Sequence, residues 1–124
     1  MMKTYGCELV LDIHKSDPRT FTRESIDRFF TDICHLIGME KCEVHFWDDV
    51  DVAVEEQQTN PHTKGTSAVC FILTSSIVIH TLDLLEKVYV NIFSCKEFDP
   101  KAATEFTREW FGGEIKSSRF NDRV

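Results

Sequence analysis

Between residues 67 and 95 the chain passes through three apolar, β-branched runs, at 67–73, 76–81 and 88–95, and only the small polar pair Thr74-Ser75 separates the first two. Such runs predict strands, and gaps this short suit antiparallel neighbours, because a parallel crossover needs a dozen residues or more. Residues 5–13 alternate around Leu9, Leu11 and Ile13 and predict a further strand. Residues 42–47 predict a short one, and residues 115–120 a last edge strand. Two stretches carry helical spacing instead. Ile26, Phe29, Phe30, Ile33 and Ile37 form an amphipathic stripe, preceded by Asp17-Pro18 and by Thr20 or Thr22 as start signals, with Gly38 as a natural C-cap. Asp99-Pro100 opens the second helix, with Asp as N-cap and Pro at the first helical position. Ala103, Phe106 and Trp110 are its expected inner face, and Gly112-Gly113 ends it. The order β-α-β-β-β-α-β predicts an α+β fold, a two-layer α/β sandwich whose antiparallel sheet carries both helices on one face. At 124 residues the chain has room for one domain, residues 1–124.

Composition narrows the function classes. A net charge of −7 and a pI near 5.1 argue against a nucleic-acid partner, which wants a basic face. They favour a cationic small molecule mildly, although acidity also serves plain solubility. There is no apolar run of membrane-spanning length. The first residues lack the apolar core of a signal peptide, so a cytoplasmic protein is expected. The five cysteines are odd in number and lack a C-x-x-C pair, which fits reduced thiols. The histidines lack metal-ligand spacing, so no metal is expected. Residues 48–64 are polar and acidic, and a loop this long in a compact domain is usually functional or mobile.

Chemistry concentrates in Ser67, Ser75, His80 and Cys95. Each has an ordinary role open to it: a turn serine, a strand-end histidine, a small buried thiol. Read together, Lys64-Gly65-Thr66-Ser67, Thr74-Ser75-Ser76-Ile77-Val78-Ile79-His80-Thr81 and Asn91-Ile92-Phe93-Ser94-Cys95 resemble the prokaryotic S-adenosylmethionine decarboxylase proenzymes. In that family a G-x-S strand precedes S-E-S-x-x-x-I-H-T and then a strand ending F-T-C. The four positions fall in ungapped register. Gly6 with Leu9, and Asp99-Pro100, resemble the family's first strand and second helix start.

The resemblance implies self-cleavage between Thr74 and Ser75, with Ser67 and His80 assisting, into residues 1–74 and 75–124. Ser75 would become a covalent pyruvoyl group, which takes the substrate amine as a Schiff base and acts as electron sink when carbon dioxide leaves. Cys95 would then protonate the substrate carbon. The implied reaction feeds polyamine (spermidine) synthesis, and the implied assembly is a homodimer of processed protomers.

Two departures bear on substrate and processing. Thr74 stands where the family has glutamate. After His80-Thr81 the family continues W-P-E, whose glutamate holds the ribose hydroxyls; here Leu84 occupies that position and Asp83 lies one residue out of register. Phe46 and Trp47 are the nearby aromatics that could stack on an adenine. A basic amino acid such as arginine or ornithine is therefore an alternative substrate, and an unprocessed, non-catalytic homologue with a binding or regulatory role is a second alternative.

Overall fold

The computed structural model describes residues 4–124. Six strands form one sheet: β1 (Gly6–His14), β2 (Lys41–Trp47), β3 (Gly65–Ile72), β4 (Ser75–Leu82), β5 (Lys87–Ser94) and β6 (Glu114–Arg123). Their order is β2-β3-β4-β5-β1-β6 and every pairing is antiparallel. Helices α1 (Arg23–Leu36) and α2 (Pro100–Phe111) pack on one side, giving the α+β sandwich that the strand spacing predicts. Among the described residues no helix is long and apolar enough to cross a membrane.

Side-chain parity explains the layers. Leu9, Leu11 and Ile13, Ala68 and Cys70, Ile77 and Ile79, and Val88, Val90 and Ile92 share one face, and all are buried under the helices. Cross-strand register keeps them aligned: Leu9 faces Ile92, Ile92 faces Ile77, and Ile77 faces Cys70. The opposite face carries Glu8, Val10, Asp12, Tyr89, Asn91, Val78, His80, Val69 and Ser67, and among the described residues no helix covers it.

Helix α1 starts at Thr22, whose hydroxyl accepts the Ser25 N–H at 3.1 Å. Asp17-Pro18 caps a separate 3-10 turn instead. Gly38, at φ +72°, turns the chain out of α1 in the left-handed conformation that glycine adopts without a Cβ penalty. Helix α2 corrects one expectation. Its fully buried row is Ala103, Thr107 and Phe111, and Phe106 and Trp110 are only half-buried. The reason is that α2 lies beside α1: Phe106 and Trp110 turn sideways onto Phe29, each with its ring centre 5.9 Å away, while the next row faces the sheet. Strand β6 is also longer than expected, because β1 pairs with it along its whole length. All five cysteines are free, with Cys7, Cys34 and Cys70 in the core.

Candidate active site

The β3–β4 hairpin carries three of the four sequence-predicted residues. Ile72 pairs with Ser75, so Leu73 and Thr74 alone form the turn. Two-residue hairpin loops need left-handed backbone, ordinarily supplied by glycine, asparagine or aspartate. Thr74 supplies it here at φ +54°. Its hydroxyl donates to the Leu73 carbonyl at 2.7 Å.

Ser75, the first residue of β4, belongs by parity to the helix-covered face and is buried. Its Oγ accepts the backbone N–H of Cys95 at 2.8 Å. Cys95 lies just beyond the end of β5, not on the strand with Phe93 and Asn91 as its position in the apolar run suggests. Leaving the ladder frees its side chain to turn toward the hairpin, where the thiol reaches the Leu73 carbonyl at 3.8 Å. The Ser75 and Thr74 hydroxyls hold the Cys95 thiol below the ordinary cysteine range by favouring the thiolate.

Ser67 and His80 form a second pair. They face each other across β3 and β4, and the Ser67 hydroxyl meets His80 Nδ1 at 2.7 Å. Gly65 explains the glycine of the G-x-S pattern: a Cβ there would lie 1.8 Å from the Thr81 carbonyl oxygen, so no side chain fits between the strands at this point. The two pairs do not meet within one chain. Ser75 and His80 are five residues apart on β4, roughly 17 Å at the ordinary strand rise, and an odd separation sends them to opposite faces.

The loop at 48–64 is tied down. Arg23 grips Asp48 with two hydrogen bonds of 2.6 and 2.7 Å, which holds that carboxyl below its usual range. Asp49 accepts from the Gln58 N–H at 3.0 Å and pairs with Lys64 at 3.3 Å. The folded loop walls a cavity of about 420 Å³ beside Ser67 and His80, whose other lining includes Trp47, Asp49, Gln58 and His62. Asp49, Gln58 and His62 carry no individual signal in the sequence; the loop's length and acidity mark the segment but fix no residue within it.

Phe46 and Trp47 separate cleanly. Phe46 packs on the core with the Arg23 guanidinium 5.6 Å from its ring centre. Trp47 pairs with Ser67, stands on the open face and is 84% exposed. Asp83 is half-buried in a neighbouring cleft with Asp49, Lys64 and Thr66, whereas Leu84 is exposed. Burial raises the Asp83 carboxyl above its usual range, and Lys64 partly opposes this.

The arrangement thus sets a hydroxyl and a thiol side by side at the β3–β4 turn, and a hydroxyl–imidazole pair on the opposite face. No curated protein sequence matches. Among solved structures, the adenosylmethionine decarboxylase of Aquifex aeolicus VF5 matches over 98% of this chain and 92% of its own, with a TM-score of 0.74. At 19% identity, that likeness establishes the shared fold. The model of the S-adenosylmethionine decarboxylase family matches residues 7–123, and the chain therefore belongs to that family.

Proposed function

We propose that this chain is a self-cleaving, pyruvoyl-dependent decarboxylase of S-adenosylmethionine that supplies polyamine synthesis. It works as a homodimer in which Ser67 and His80 of each protomer serve the Thr74–Ser75 bond of the other. The observation that carries the reading is the β3–β4 turn, which sets the Ser75 hydroxyl against Cys95 immediately after a left-handed Thr74.

In the cleavage, Ser75 Oγ attacks the Thr74 carbonyl carbon and the C–N bond breaks. The hydroxyl proton ends on the Ser75 nitrogen, and an ester remains. Loss of the Ser75 α-proton expels the Thr74 carboxylate, and hydrolysis of the resulting dehydroalanine releases ammonia and leaves the pyruvoyl group heading residues 75–124. Its fit is supported by Ser75 being buried at the head of a paired strand, with the Cys95 N–H facing its side chain. The group supplies a carbonyl that takes up the substrate amine and the electron pair freed when carbon dioxide leaves. Cys95 delivers a proton to the substrate carbon from a thiol beside that position. Trp47 lines the cavity that receives the nucleoside and offers a stacking surface, and Asp83, in the neighbouring cleft, is the acceptor for its hydroxyls.

A homodimer is favoured by the roughly 17 Å between the two pairs, which one chain cannot close. It is also favoured by the apolar groups left exposed around the open face and the turn, Trp47 at 84%, Phe71 at 48% and Leu73 at 78%. Intact mass tests the cleavage: the 14.4 kDa chain should give way to residues 1–74 and 75–124. Persistence of the whole chain would instead support a non-catalytic homologue. Labelled carbon dioxide release from S-adenosylmethionine, ornithine, arginine and lysine tests the substrate, and release from the amino acids alone would overturn the nucleoside assignment.

A further inference from the structure

Four non-glycine residues among those described have positive φ: Lys15, Asp51, Thr74 and Glu86. Thr74 alone of them is β-branched, the side-chain class least tolerant of that backbone. It also lies immediately before the bond that the proposed function cleaves. A left-handed β-branched residue persists only where its surroundings fix it. Here they do so from both sides. The ladder is closed through Ile72–Ser75, Phe71–Ser76 and Cys70–Ile77, so the turn cannot lengthen. The Leu73 carbonyl is pinned by the Thr74 hydroxyl at 2.7 Å and by the Cys95 thiol at 3.8 Å. Ser75 is pinned through its Oγ to the Cys95 N–H at 2.8 Å.

We propose that Thr74 is a positioning residue whose strained left-handed backbone drives cleavage, because transfer of its acyl group to Ser75 Oγ relieves that strain. This rests on the self-cleaving reading of the site. The chemistry of the step gives the reason. In the peptide, the path from the Thr74 carbonyl carbon to the Ser75 Cα runs through nitrogen alone. In the ester it runs through Oγ and Cβ. The Oγ–carbon bond forms, the carbon–nitrogen bond breaks, and the hydroxyl proton ends on nitrogen, so atoms balance without an outside reactant. The longer path lets the turn relax while the strands stay paired, and Thr74 can leave the left-handed region. Residues at ease in that conformation would gain nothing from the transfer. A glycine or asparagine here should make a more comfortable hairpin and a slower proenzyme.

The test measures two quantities on the full chain with Thr74 replaced by Val, Ser, Asn or Gly. Cleavage rate is followed by intact mass, and the melting temperature of the uncleaved form is taken in a Ser75→Ala background. Thr74→Val keeps the branching and loses the hydroxyl, so it should cleave within about twofold of the original. Thr74→Asn and Thr74→Gly should cleave on the order of fivefold slower or more, and their uncleaved forms should melt higher. Thr74→Gly cleaving as fast as the original overturns the proposal. So does a slow Thr74→Val beside a fast Thr74→Ser, which would assign the effect to the hydroxyl. If the unsubstituted chain stays whole, the self-cleaving reading falls and takes this inference with it. If it cleaves and the glycine variant keeps pace, only the strain argument falls.

Discussion

The roughly 17 Å between Ser75 and His80 leads to a sharp prediction about which chain His80 serves. Proton transfer needs contact near 3 Å, or one bridging water. His80 is exposed, so His80→Ala should fold normally and lose only its chemistry, slowing cleavage about 10²- to 10⁴-fold. Ser75→Ala should not cleave at all. Co-expression of the two, told apart by a tag, should restore cleavage in one direction. With random pairing about half of the dimers are mixed, and there the His80→Ala chain keeps its own Ser75 and meets an intact histidine from its partner. About half of the His80→Ala chains should therefore be cut, while every Ser75→Ala chain stays whole. Intact mass reads both outcomes in one spectrum. A mixture no more cleaved than His80→Ala alone would refute service across the interface, and full-speed cleavage of His80→Ala alone would remove histidine from the step.

Cys95→Ala should still cleave but lose turnover with S-adenosylmethionine, measured as carbon dioxide release per cleaved chain; unimpaired turnover would remove Cys95 as proton donor. Because the Ser75 and Thr74 hydroxyls favour its thiolate, Cys95 of the uncleaved His80→Ala chain should be alkylated by iodoacetamide with a midpoint at lower pH than an ordinary cysteine. Adding Thr74→Val should move that midpoint upward. Asp83→Asn should raise KM for S-adenosylmethionine without altering cleavage, and an unchanged KM would exclude Asp83 from the substrate. Phe29, fully buried and in contact with Phe30, Phe106, Trp110 and Phe111, should cost about 3–5 kcal/mol when replaced by Ala, read by urea denaturation of the uncleaved form.

The fold was largely legible because two periodicities run through the chain without conflict. Alternation along β1, β3, β4 and β5 and the four-residue rhythm of α1 each point to one buried face. The buried row of helix α2 is not legible, because Trp110 and Phe106 are more apolar than Thr107 and the sequence does not show that a neighbouring helix will take them. The four site residues were legible as chemistry but not as geometry. Their resemblance to a family motif suggests a cluster, yet the odd spacing between Ser75 and His80 already places them on opposite faces of one strand. That Cys95 leaves its strand to reach the Leu73 carbonyl is not legible in the residues, because it depends on where β5 stops relative to the hairpin. Nor could a polar loop at 48–64 announce its cavity, which depends on the Arg23–Asp48 contact made across the fold and on the Lys64–Asp49 pair that closes the loop on itself.

The strand order predicts that the fold would tolerate the proposed cut in its middle. A break between Thr74 and Ser75 assigns β1, α1, β2 and β3 to one fragment, and β4, β5, α2 and β6 to the other. In the sheet these do not fall into two separable halves. Strand β1 lies between β5 and β6, paired to β5 from Cys7 to Ile13 and to β6 from Gly6 to His14. The β3–β4 ladder, from Gly65 with Leu82 to Ile72 with Ser75, bridges the fragments a second time. The helices bridge them a third time through Phe29 and its contacts with Phe106, Trp110 and Phe111. Separating the fragments would expose nearly the whole core, at about 25 cal/mol for each Å² of apolar surface, whereas the turn bond lies outside that apolar core. The first strand is thus a clasp on the second fragment. Its position between β5 and β6 would let the proposed cleavage create a new terminus at Ser75 without loss of the sheet that holds it.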